Sequence, residues 1–281
     1  MTFVLLSVAC SVLVSVLLKL ARRFDLDIGQ AVAWNYVVAD ALAALLLKPS
    51  LVPLRQAGVP WLALIGLGIL LPTIFLALGA SVQHAGIVRS DAAQRLSLLI
   101  SLIAAFTLFG EGLDALKIIG CVLGFVAMAG MVWRHETAAD RSGTARWSYP
   151  LAVFVGFGVI DVLFKRVAAA GIPLGAALVA TFTLALVVAF AIECARRKRF
   201  TARSLVGGVV LGLFNFGNIL FYLRAHRALP HNPALVFASM NLGVVAVGAL
   251  TGLLLFRERL TRINLAAVGL ALLAVGLLTH A

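Results

Sequence analysis

The chain has 281 residues, 63% of them hydrophobic and 12% charged, where a soluble domain averages about 45–50% and about 25%. The net charge of +12 reflects 23 Lys and Arg against 11 Asp and Glu, but the basic residues gather at the ends of apolar runs, as in Arg196-Arg197-Lys198-Arg199. That pattern anchors spans at a membrane surface, so a water-soluble globule is excluded and nucleic acid is set aside as a partner.

In chain order, apolar runs predict ten membrane-spanning helices, near 3–20, 29–47, 61–81, 87–110, 115–133, 149–167, 174–193, 204–223, 233–256 and 263–279. The fold class expected is an all-α membrane protein. The first run starts at Met1 without a basic leader and is read as a span, not a cleavable signal. Cys10, Cys121 and Cys194 lie far apart and have no metal or redox spacing. The longest connection, 134–148, is too short for a further domain.

The second half repeats the first at an offset close to 146 residues. Ser15-Val-Leu-Leu-Lys19 matches Asp161-Val-Leu-Phe-Lys165, Gly29 matches Gly175, and Pro72-Thr73 matches Gly217-Asn218. Gln94 meets Asn241, and Phe109-Gly-Glu111-Gly-Leu113 meets Phe256-Arg-Glu258-Arg-Leu260. The halves are 1–140 and 147–281. Each has an odd number of spans, five, so the second enters the membrane upside down, giving an inverted repeat around a central cavity.

Two five-span halves, each with a Phe-x-Glu-x-Leu block between its fourth and fifth spans, resemble the EamA-like members of the drug/metabolite transporter superfamily. The resemblance covers essentially the whole chain. It implies a ten-helix transporter whose cavity is lined by the first, third, fourth, sixth, eighth and ninth spans, and it does not supply a substrate.

Ionisable residues within spans are costly, so each is a site candidate. The fourth span carries Arg89, Ser90, Asp91, Gln94, Arg95, Ser97 and Ser101, of which Ser90, Gln94, Ser97 and Ser101 form a polar stripe expected to face inward. Asp91 and Arg95 are spaced for an intrahelical ion pair; alternatively, the guanidinium of Arg95 receives a substrate carboxylate or phosphate. Asp161 is read as a proton-coupling carboxylate, as a receptor for a substrate amine, or as the partner of Lys165. Asp91 is the second proton-coupling candidate. Asp40 is expected to pair between helices and to neutralise Arg95 when the site is empty.

Ser7, Ser11 and Ser15 line one side of the first span, and Asn215, Asn218 and Tyr222 one side of the eighth; with Asn241 they are the remaining substrate-binding candidates. For the serines, close helix packing is an equal reading. Pro72 and Gly217, at equivalent mid-span positions, are expected to be paired hinges. Glu111 and Glu258 at span ends are read as structural caps or gate contacts. Three Gly-x-x-x-Gly motifs, starting at Gly120, Gly208 and Gly248, are read as packing within one chain.

The function expected is a secondary transporter or exporter of a small polar or amphipathic metabolite across the plasma (inner) membrane, by alternating access and with proton coupling. A lipid-linked flippase of the same fold and an intramembrane enzyme are the alternatives. The latter lacks a catalytic or metal motif, since His135-Glu136 has no second His. No cofactor is called for. The partners expected are a small-molecule substrate and membrane lipids, with the chain a monomer or weak homodimer. The loops opposite the termini carry twice the basic residues of the termini's own face, which puts the termini outside by the positive-inside rule, whereas the resemblance implies the reverse.

Overall fold

The computed structural model describes residues 1–56, 58–109, 115–132, 144–229, 233–258 and 261–280. These are all-helical, with no strand among the described residues. The helices are α1 (Thr2–Leu20), α2 (Ile28–Leu42), α3 (Trp61–Ala85), α4 (Ile87–Leu96), α5 (Leu98–Phe109), α6 (Ala115–Val132), α7 (Thr144–Ala169), α8 (Leu174–Ala195), α9 (Ala202–Ala228), α10 (Pro233–Leu250) and α11 (Arg262–His280). Wider π-turns extend α2 through Ala43–Leu47 and α10 through Thr251–Leu255.

Local chemistry sets the helix starts. The Asp27 carboxylate accepts the Gly29 and Gln30 N–H groups at 2.9 and 3.4 Å, and the Thr201 and Thr261 hydroxyls accept those of Ser204 and Asn264, both at 3.2 Å. Prolines precede α3 and α8 and open α10, where a missing N–H costs nothing.

The sequence predicts one continuous fourth span, but the structure divides it into α4 and α5 at Ser97. There the Ser97 hydroxyl donates to the Gln94 carbonyl at 2.6 Å, and the next turn restarts with Ile100 N–H donating to Ser97 O. A serine hydroxyl competing for backbone carbonyls breaks the run where apolar content alone would continue it.

The core is mainly apolar but takes in a set of polar groups, and many large apolar side chains face outward. Ser7, Ser15, Gln30, Asn35, Ser90, Asp91 and Glu193 are buried, whereas Leu62 is 89% and Leu254 76% exposed. Among the described residues, five helices, α1, α2 with its π-turn, α3, α8 and α9, are long and apolar enough to cross a membrane. Large apolar side chains on the outer surface, on helices of this length, suit association with a membrane.

In the packing, α2 and α8 lie together and each meets a long helix of the other half: α2 against α9, α8 against α3. Likewise α1 packs on α9 and α10, and α7 on α3, α4 and α5, while α6 pairs with α11 and α4 with α10. Close approach at α2–α9 needs glycine. A Cβ on Gly208 or Gly212 would strike Ala31, Asn35 and their neighbours, so that Gly-x-x-x-Gly motif packs within the chain.

One end of the bundle collects the end of α1, the starts of α2, α4 and α9, the end of α8 and the segment after α10. There Asp27 holds Arg196 at 3.0 Å and Lys198 at 2.8 Å, and Arg196 also holds Glu193 at 2.6 Å. Gln30 joins the same knot, donating to Arg199 O and accepting from Thr201 N–H. At the other end, Val167, Ile172 and Ala176 pack with Ala63 and Leu64.

Candidate functional site

A cavity of about 370 Å³ lies inside the bundle, at the small end of the roughly 300–1,000 Å³ of ligand pockets. Its polar lining is Gln94, Arg95, Ser97, Asp161, Asn218, Tyr222 and Asn241. Phe157, Phe164, Leu174, Leu178 and Met240 supply the apolar wall. The walls therefore come from α4, α5, α7, α8, α9 and α10. Of the first and third spans, which the family resemblance puts at the cavity, neither α1 nor α3 contributes a lining residue among those described. The seventh span, α8, does, through Leu174 and Leu178 at its start.

Arg95, Asn218 and Asn241 are held by neighbours from other parts of the sequence. The guanidinium of Arg95 donates to Ser11 Oγ at 2.9 Å and to Asn241 Oδ1 at 3.3 Å. Its Nε–H is buried and has no acceptor among the described residues. Its charge interacts with those of Asp91 and Asp161 and with the Tyr222 phenol. Asp161 makes neither an ion pair nor a hydrogen bond with the described residues, so its carboxylate stands in the cavity unneutralised by direct contact. Lys165, one turn further along α7, has an interaction of its own.

The expected Asp91–Arg95 ion pair does not form. Asp91 is buried and accepts from Ser15 Oγ at 2.6 Å, while its second oxygen has no donor and lies against α10, where Gly248 leaves no room for a Cβ. The i, i+4 rule describes an exposed helix with no other partners. Here the serines of α1 compete for both groups and win.

The serine stripe has a definite role. Ser7 donates to the carbonyl and side-chain oxygens of Asn218 at 2.9 and 2.8 Å, Ser11 accepts from Arg95, and Ser15 donates to Asp91. The first span thus positions the polar groups of α4 and α9 from behind and does not itself face the cavity. Asn215 turns away from the cavity and donates to Asn35 of α2 at 3.1 Å. Asp40 accepts from Thr183 of α8 at 3.1–3.2 Å, so its interhelical partner is a hydroxyl and not Arg95.

Pro72 is buried within α3 and Gly217 lies against Cys10 of α1; neither lines the cavity. Thr73 donates to Ile69 O and Leu70 O, not to the Gly68 carbonyl that the proline leaves free. Ser90 bonds Ser81 at 2.7 Å and Gly86 O at 2.7 Å, while the Ser101 side chain, Glu111 and its Phe-x-Glu-x-Leu block lie outside the described residues.

At the Asp27 end, Glu258 closes the bundle. Its carboxylate accepts the first N–H groups of α4, Ile87 at 2.7 Å and Val88 at 3.3 Å, and pairs with Lys19 of α1 at 3.3 Å. Gly86 (φ +96°) makes the reversal between α3 and α4, and a side chain there would meet the Glu258 carboxylate. Lys19 also donates to Val82 O at 3.1 Å, so α1, α3, α4 and the α10–α11 connection converge on this cluster. The cavity runs the other way. Arg95 lies eight residues into α4, ~12 Å from this end at 1.5 Å per residue, and Leu174 is the first residue of α8 at the opposite end.

The chain matches no protein-family model. It is 41% identical over 279 residues to an uncharacterized protein of Haemophilus influenzae (strain ATCC 51907 / DSM 11121 / KW20 / Rd), covering 96% of this chain and 94% of that protein. A crystal structure of a protein at 16% identity aligns with a TM-score of 0.50 over 98% of this chain and 97% of that one, a likeness of fold alone.

Proposed function

We propose that this chain, which belongs to the same family as the Haemophilus influenzae protein, is a secondary transporter of a small polar or amphipathic metabolite. In this reading it spans the plasma membrane ten times as two inverted five-helix halves of the EamA type. The observation that carries it is the cavity: a half-buried cation, Arg95, and a half-buried anion, Asp161, share a half-open space lined otherwise by amides, a serine hydroxyl, a phenol and apolar side chains. Such groups are costly within a membrane unless they serve a solute or ion. The guanidinium of Arg95 and the unbonded carboxylate of Asp161, both on the cavity wall, suit a zwitterion, the first taking its anionic group and the second its cationic one.

The packing supports the inverted repeat. Exchanging α1 with α7, α2 with α8, α3 with α9, α4–α5 with α10 and α6 with α11 turns the pairs α1–α9, α2–α9 and α1–α10 into α7–α3, α8–α3 and α7–α4, all of which occur. Near-symmetry of this kind lets two halves trade conformations, which is the basis of alternating access. Closure by Glu258 at one end and a cavity reaching Leu174 at the other correspond to one of the two states.

The test is cysteine accessibility in membranes. Gln94→Cys and Asn218→Cys should react with a membrane-impermeant maleimide from the Leu174 side, and a stabilising solute should slow the reaction. If neither position is labelled from either side, there is no wet cavity and the transporter reading fails.

A further inference from the structure

At the Asp27 end, a second groove of about 670 Å³ runs between the α1–α2 connection and the first turns of α9, lined by Arg23, Phe24, Asp25, Leu26, Arg203 and Val206. We propose that this groove binds the headgroup of an anionic phospholipid. Arg196 and Lys198, at the same end, are neutralised by Asp27 and Glu193. Arg23 and Arg203 have no carboxylate partner among the described residues. Asp25 is the one acid in the lining and bonds neither of them. The N–H groups of Ala202 and Arg203, in the first turn of α9, have no acceptor among the described residues and add positive potential.

Charge selects the kind of headgroup, and the adjoining surface accommodates an acyl chain. Phe24 is 56%, Val206 59% and Leu213 50% exposed. Val206 and Leu213 lie two turns apart on one face of α9, so an apolar track leads from the arginines along the bundle's outer wall. Leu26 closes the back of the groove against Gly207, where a Cβ would come within 2.8 Å of its Cδ1. Two cations at the helix ends with a greasy track running inward match a phosphate head and its acyl chain, and not a soluble anion or a polar protein surface. The inference rests on the membrane reading alone and stands or falls apart from the transport reading.

The full chain, purified in a neutral detergent, should gain thermal stability and retain bound lipid in native mass spectrometry with phosphatidylglycerol but not with phosphatidylcholine. The Arg23→Gln/Arg203→Gln variant should bind phosphatidylglycerol about 25-fold more weakly, each basic residue contributing about fivefold. Lys48→Gln/Arg55→Gln, which removes the same charge from the opposite end, should bind as the parent does. Should the arginine variant not purify, Val206→Glu, which puts an acid in the groove, should give the same loss. Equal binding of phosphatidylcholine, equal loss in the opposite-end variant, or equal stabilisation by inorganic phosphate would each overturn the proposal.

Discussion

Asp91 and Arg95 stand one turn apart on α4 yet turn to different partners, Asp91 to Ser15 and Arg95 to Ser11 and Asn241. α1 thereby separates an anion and a cation that an isolated helix would pair, and leaves the guanidinium at the cavity wall. Arg95→Lys keeps the charge but loses the planar fork, so affinity for any anionic or zwitterionic solute should fall about 10- to 100-fold, the worth of a hydrogen bond to a charged group. Ligand-induced thermal stabilisation of the purified variant measures it; unchanged affinity would make Arg95 a structural residue.

Ser15→Ala should be destabilising. It leaves both Asp91 oxygens buried without a donor, at about 1–3 kcal/mol. Adding Asp91→Asn should not give a second full loss, because the two residues form one interaction. Unfolding of both single variants and the double variant in detergent gives the coupling; additive losses would refute it.

Glu258 caps α4 from outside its own helix. Glu258→Ala should cost about 1–2 kcal/mol, by analogy with lost N-caps, and should release the closed end. A cysteine at Gln94, labelled from the Leu174 side in the parent, should then be labelled from both sides. Glu258→Gln retains an acceptor but loses the Lys19 pairing, so its labelling should fall between the two. Labelling from the Leu174 side alone in both variants would show that closure does not depend on Glu258.

Acid should loosen the Asp27 knot. Burial pushes the Asp27 carboxyl up, but the Lys198 hydrogen bond and the Arg196 charge outweigh it and hold the group below the usual carboxylate range. Because the folded-state value is depressed, this stabilisation is fully present above the unfolded value of ~3.9 and is lost as pH falls through the folded one. The melting temperature of the parent should therefore drop more steeply below about pH 4 than that of Asp27→Asn. Parallel curves would show that the knot is not linked to protonation.

The helical segments are legible in the sequence because a bilayer-length apolar run has few other fates, and α8 starts at Leu174 as its apolar run predicts. The break at Ser97 is not, since one hydroxyl among apolar neighbours barely changes a hydropathy pattern; the signal available is the dense Ser90-to-Ser101 stretch. Arg95, Asp161, Asn218, Tyr222 and Asn241 do share one cavity, as polarity within a span suggests. Spacing does not reveal the choice of partner. Asn215 sits three residues before Asn218 yet faces α2, and Asp40 finds Thr183, because the neighbour across each helix is set by packing and lies far away in sequence. Leu174 and Leu178 give no sign of their place in the cavity because an apolar wall residue looks like any other leucine.

The knot around Asp27 and Gln30 has a mechanical corollary. Backbone and side-chain bonds run from the start of α2 to Ser204, Arg199 and Thr201, so the head of α2 is riveted to the turn joining α8 and α9. A rivet at one rim resists sliding there, and the two parts of the chain it fastens can only tilt about it, with the largest excursions at the far rim.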